Sequence, residues 1–128
     1  MCRLFIEADP LLWERETRSL RIHGVATSLR LETFFWNVLA DVAQRDGLSL
    51  GQLIAKLYDE LVEVRGTVDN FASFLRVCCG RYLALQLDGA VPSDPTIPIK
   101  DLDAPRVLYR ERAGDIAYCR SAPAVTAK

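Results

Sequence analysis

Between Ala26 and Ile54 the chain changes its hydrophobic period from two to about 3.6 with no linker between. Thr27, Leu29 and Leu31 share one side of an extended segment, and Ala26, Ser28 and Arg30 share the other. Thr33 then offers an N-cap hydroxyl to a helix running to about Arg45. On that helix Phe35, Leu39, Val42 and Ala43 form an apolar stripe, Trp36 and Ala40 lie on its flank, and Asn37, Asp41 and Gln44 face away. Gly47 stands where a left-handed helix cap is expected. Ser49 to Gln52 match a capping box, which opens a second helix with Leu50, Leu53, Ile54, Leu57, Tyr58 and Leu61 on its buried side.

The flanks read less uniformly. Thr17 to His23 alternates, with Leu20 and Ile22 on one side and Ser19, Arg21 and His23 on the other, and Gly24 breaks the pattern. Whether this strand forms a hairpin with the next is open. Residues 1–16 combine Arg3-Leu4-Phe5-Ile6, a turn-like Ala8-Asp9-Pro10 and Leu11-Leu12-Trp13, and read as an N-terminal arm or an edge strand. Asp69 or Asn70 caps a third helix to about Leu87, with Phe71, Phe74, Leu75, Cys78, Tyr82 and Leu85 at helical spacing. Residues 17–87 are thus expected to form the core, and 88–128 a proline-rich extension. Pro92, Pro95, Pro98 and Pro105 imply an extended connector. Beyond it, Val107-Leu108-Tyr109 and Ile116-Ala117-Tyr118-Cys119 flank Ala113-Gly114-Asp115 as the arms of a possible hairpin, followed by a loose tail.

Composition removes several classes of function. The net charge is −1 and the pI about 5.8, so any nucleic-acid footprint must be local. One histidine and four cysteines, Cys2, Cys78, Cys79 and Cys119, with no CxxC pair, do not make a zinc set. With no phosphate-cradling glycine loop either, we expect no enzyme, no catalytic residue, no metal and no cofactor. No apolar run approaches the roughly 20 residues of a membrane span. Glu7 and Asp9 come too early for a signal peptide, so a cytoplasmic protein without a membrane partner is expected.

Strand, helix, glycine turn and serine-capped helix in this order resemble the ribbon-helix-helix DNA-binding domain. The resemblance is carried by S-L-R-L-E in the strand, F-x-x-x-L-x-x-V-A in the first helix, D-G-L-S in the turn and L-x-x-L-I in the second helix. The wider run TRSLRIHGVATSLRLE, followed by FW, RDGLS and NFASFLRV, is similar to a branch of short bacterial proteins that carry the domain with extra terminal segments. It implies a mainly α fold with a short β-ribbon, built as an intertwined homodimer. A lone strand satisfies neither its backbone groups nor Leu29 and Leu31, and in the resembled fold its partner is the same strand of another subunit.

The implied function is that of a transcriptional regulator on double-stranded DNA, with the ribbon in the major groove. Ala26, Ser28 and Arg30 then face the bases, Arg30 foremost because a guanidinium bonds guanine O6 and N7 together. Ser49, Leu50 and Gly51 hold phosphate at the second helix's N-terminus, and Arg21 adds a phosphate contact. Tetramers on DNA and a protein partner for residues 88–128 stay open. The alternative is a dimerisation and protein-interaction module of the same architecture, antitoxin-like, with little DNA binding. The choice turns on Thr17–His23, because its pairing with the ribbon would widen the dimer's sheet to four strands against a groove about 12 Å across.

Overall fold

The computed structural model describes residues 2–116, and the chain divides into two compact units, Met1–Cys79 and Gly80–Lys128. The first unit opens with α1 (Cys2–Ile6) and a 3-10 turn at Pro10–Trp13. Arg3-Leu4-Phe5-Ile6 is therefore helical, not an edge strand. Arg3 donates to Glu7 one turn on, and the Asp9 carboxylate accepts from the Leu11 N–H at 3.0 Å, with Pro10 preset for the turn.

Strands β1 (Arg15–Ile22) and β2 (Val25–Glu32) form an antiparallel hairpin in register from Ile22 opposite Val25 to Arg15 opposite Glu32. The loop is His23-Gly24 alone. Both residues have positive φ, 53° and 75°, the backbone of a type I′ turn, whose twist matches the strands it joins. This answers the question that the sequence leaves open: the neighbour on one side of β2 is β1 of the same chain. A two-residue loop of the right hand closes that pair at small entropic cost.

Helices α2 (Thr33–Arg45) and α3 (Leu50–Arg65) follow, and α4 (Phe71–Asp88) runs on from the first unit into the second. Helix α2 packs against β2, α3 and the 3-10 turn, and α3 against β1. The core combines Ile22, Leu29 and Leu31 with Trp36, Val38, Leu39, Ala43, Leu53, Ile54, Leu75 and Cys79. Trp36, expected on the flank, is buried at 1% exposure because its indole N–H donates to the Glu16 carbonyl at 2.8 Å. The buried face of α2 is rotated accordingly toward Trp36 and Val38, and Phe35 and Val42 are only half-buried.

Thr33 is not the N-cap. Glu32 holds that position, and the N–H and hydroxyl of Thr33 both donate to the Glu14 carbonyl, at 2.8 and 3.2 Å. The turn after α2 is a Schellman motif: Gly47 (φ 70°) donates to Gln44 and Leu48 to Ala43. The capping box at Ser49 and Gln52 forms in full. Asn70 caps α4 by accepting from the Ser73 N–H at 3.1 Å. Of the adjacent thiols it is Cys79, not Cys78, that packs into the core.

In the second unit Leu85, Val91 and Ile116 form a small core with Tyr82, Ala90, Leu102 and Val107. A 3-10 turn at Ile99–Asp101 leads to α5 (Ala104–Arg112), capped by Asp103 through the Arg106 N–H. Arg81 grips Glu111 through two hydrogen bonds, and Arg110 meets Asp88 at 3.0 Å. Val107-Leu108-Tyr109 are thus helical and do not form the arm of a hairpin. Pro105 lies in the first turn of α5, where no N–H is required of it, so the fourth proline of the run starts a helix instead of extending the connector. Ala117-Tyr118-Cys119 and the expected tail lie outside the described residues.

Candidate nucleic-acid interface

Pleating sends alternate residues of the hairpin to opposite sides. Thr17, Ser19 and Arg21 of β1 and Ala26, Ser28 and Arg30 of β2 are all exposed, and the register sets Thr17 beside Arg30, Ser19 beside Ser28 and Arg21 beside Ala26. The six positions form one outward face of three hydroxyls, two arginines and a methyl group, closed at its far end by the Arg15 and Glu32 pair. Arg21 also donates to the Gly24 carbonyl at 2.8 Å, which steadies it at the turn.

The acids nearby are turned away or compensated. Glu16 accepts from Arg18 at 2.7 Å on the inner side, where the Arg18 guanidinium lies 4.9 Å from the Trp36 ring centroid. Glu32 accepts from Arg76 at 2.8 Å and lies 3.8 Å from Arg15. The Arg76 hydrogen bond, foremost, holds the Glu32 carboxyl below the usual carboxylate range.

The hairpin also fixes where free backbone groups point. With a two-residue loop, Ile22 and Val25 exchange both hydrogen bonds, and so does every second pair after them. The backbone N–H and C=O groups of Ala26, Ser28 and Arg30 therefore point out along the far edge of β2. Those of Thr17, Ser19 and Arg21 line the far edge of β1.

At the start of α3 the Ser49 hydroxyl accepts from the Gln52 N–H at 3.1 Å, and the Gln52 side chain accepts from the Ser49 N–H at 2.9 Å. The Leu53 N–H bonds the Ser49 carbonyl at 3.0 Å. Leu50 and Gly51 keep the first-turn N–H groups that no described residue accepts. This turn lies behind β1, for a Cβ on Gly51 would meet the inward-facing Leu20 Cδ2 at 3.9 Å, an ordinary contact. The base-facing and phosphate-facing residues read from the sequence thus fall in two places, Arg21, Ala26, Ser28 and Arg30 on the outward face and Ser49, Leu50 and Gly51 at the helix start. Sequence reasoning leaves out Thr17 and Ser19, although their alternation with Leu20 and Ile22 is the available signal.

His23 belongs to the scaffold. Its Nε2 meets Asp59 of α3 at 2.6 Å and its ring stands edge-on to Tyr58, which ties the hairpin tip to the helix. The Cys79 thiol donates to the Phe35 carbonyl at 3.6 Å, and burial pushes its pKa up to about 12, which leaves it without nucleophilic character. Among the described residues no group of three or more His, Cys, Asp or Glu side chains is placed to hold a metal ion. No described helix is long and apolar enough to cross a membrane.

A family model described as a ribbon-helix-helix domain matches residues 15–83. Among solved structures the chain is similar to an uncharacterized protein from Bordetella pertussis Tohama I. The two are 52% identical, with a TM-score of 0.82, over 97% of this chain and 90% of the other. No curated protein matches the chain.

Proposed function

Because the chain belongs to the ribbon-helix-helix family, whose members generally dimerise and bind DNA, we propose that it is a homodimeric, sequence-specific DNA-binding protein and a cytoplasmic transcriptional regulator. The observation that carries this reading is the outward face of the hairpin. Arginine and hydroxyl groups stand together there, and the one carboxylate on that side, Glu32 at its end, is held by Arg76 and lies beside Arg15, in a chain whose net charge is −1. Arg30 takes guanine, Ala26 fits beside a thymine methyl group and Ser28 bonds either a base or a phosphate. Arg21 and the Ser49, Leu50 and Gly51 helix start take phosphates.

The edges of the hairpin support the homodimer. β1 turns the charged Glu16 and Arg18 inward, a device that guards a terminal edge, whereas β2 turns Leu29 and Leu31 inward and has no such guard. A second copy pairing along β2 covers the unguarded edge.

Purified full-length protein, incubated with fragments of its native genome across a salt series, is expected to enrich a small set of fragments. Arg30→Ala is expected to lose that preference by about 1–3 kcal/mol. Retention of the mixed fragments no stronger than by an ordinary acidic protein at low salt would overturn the reading. The second reading is then favoured, an antitoxin-like interaction module with a protein partner on residues 88–128. The pairing of β1 along the whole of β2 is the observation on its side, because it widens the sheet beyond two strands.

A further inference from the structure

We propose that β1 is a second DNA-contacting strand, one that runs along the sugar-phosphate ridges while β2 occupies the groove; this rests on the DNA-binding reading. β1 pairs with β2 over its full length, so a duplex that meets the outward side of β2 meets Thr17, Ser19 and Arg21 as well. Neighbouring strands lie about 4.8 Å apart, so in a dimer joined along β2 the two β1 axes are roughly 14 Å apart. That exceeds a major groove about 12 Å wide, and the outer strands come to the rims, where the phosphates are.

The side chains suit that place. The middle of β1 presents only Thr17 and Ser19, short enough to let a ridge approach and each able to donate a hydrogen bond. Arg21, at the turn end, is long enough to reach a phosphate to one side. The first turn of α3 lies behind β1 at Leu20, so on this flank β1 stands in front of the helix start. The inward Glu16 and Arg18 mark β1 as a strand that keeps a free outer edge in the assembly, as a rim strand must.

The test uses the full-length protein and the fragments it enriches, titrated between low and moderate salt. Arg21→Gln is expected to lower the slope of log K against log salt by about 0.9 per lost phosphate, about 1.8 for a dimer, and to keep the ranking of fragments. Ser19→Glu is expected to weaken every fragment alike, by about tenfold or more, through like-charge repulsion. Thr17→Val, nearly isosteric and favourable in a strand, removes one donor and provides the same readout should Ser19→Glu fail to fold. Wild-type affinity and slope in all three variants, with Arg30→Ala still losing its preference, would overturn the role of β1 and leave the DNA-binding reading standing. A change of ranking without a change of slope in Arg21→Gln would overturn it too. Absence of DNA binding by the unmodified protein would sink both.

Discussion

Strand β2 turns Leu29 and Leu31 into the core, at 7% and 0% exposure, whereas β1 turns Glu16, Arg18 and Leu20 to the same side and buries only Ile22 fully. The two strands are equally long and fully paired, so their hydrogen bonding to each other is the same; what differs is how each is anchored. β2 is held by apolar burial and carries an unguarded edge. β1 is held by its pairing, by the indole bond of Trp36 to Glu16 and by the Glu14 carbonyl that takes two hydrogen bonds from Thr33. A strand anchored in the core can present side chains rigidly for base readout, whereas one laid over the side needs only to meet a uniform backbone.

The largest expected effect tests that difference in anchoring. Leu31→Ala should cost about 2–5 kcal/mol in denaturant unfolding, as for a fully buried leucine, and Leu20→Ala, half-buried, well under half as much. Equal losses would break the distinction between core strand and flanking strand.

A smaller effect concerns the end of β2, where Glu32 is held by Arg76. The folded-state carboxyl lies below its ordinary value, so the stabilisation is complete above the usual carboxylate range and is lost as pH falls through that range to the folded value. The pair is partly exposed and is worth about 1 kcal/mol or less. Arg76→Gln should flatten the acid limb of a stability profile; an unchanged limb would mean that β2 is fixed by Leu31 alone.

The smallest effect is at the start of α3. Gly51→Ala has room beside Leu20 and should leave the fold intact. With β1 in front of this turn, DNA affinity should fall less than in Arg21→Gln. A larger fall would make the helix N-terminus, and not β1, the main phosphate contact and sharpen the comparison in favour of Leu50 and Gly51.

Much of the first unit is legible in the sequence because its signals are local. The capping box at Ser49, the Schellman glycine at Gly47 and the alternation of β2 each depend on residues within one turn or one pleat. Where sequence and structure differ, the cause is a partner distant along the chain or a turn that spacing does not reveal. Thr33 reads as a cap when its hydroxyl is judged against its own helix, yet its partner is Glu14, nineteen residues away. Helical spacing sets Trp36 on a flank, since spacing cannot anticipate an acceptor on β1. Pro105 reads as a breaker, and only the turn capped by Asp103 makes it an initiator.

The outward face shows the same division. Alternation alone determined that Ala26, Ser28 and Arg30 share a side and that Ser19 and Arg21 share another, since side-chain direction in a strand is a matter of parity. Only the tertiary structure decided that these are one side of one sheet, with Thr17 beside Arg30 and Ser19 beside Ser28. Parity says which residues of a strand look the same way and is silent on which strand lies next to it. That depends on the His23-Gly24 backbone, where two successive positive φ angles bring β1 back along β2.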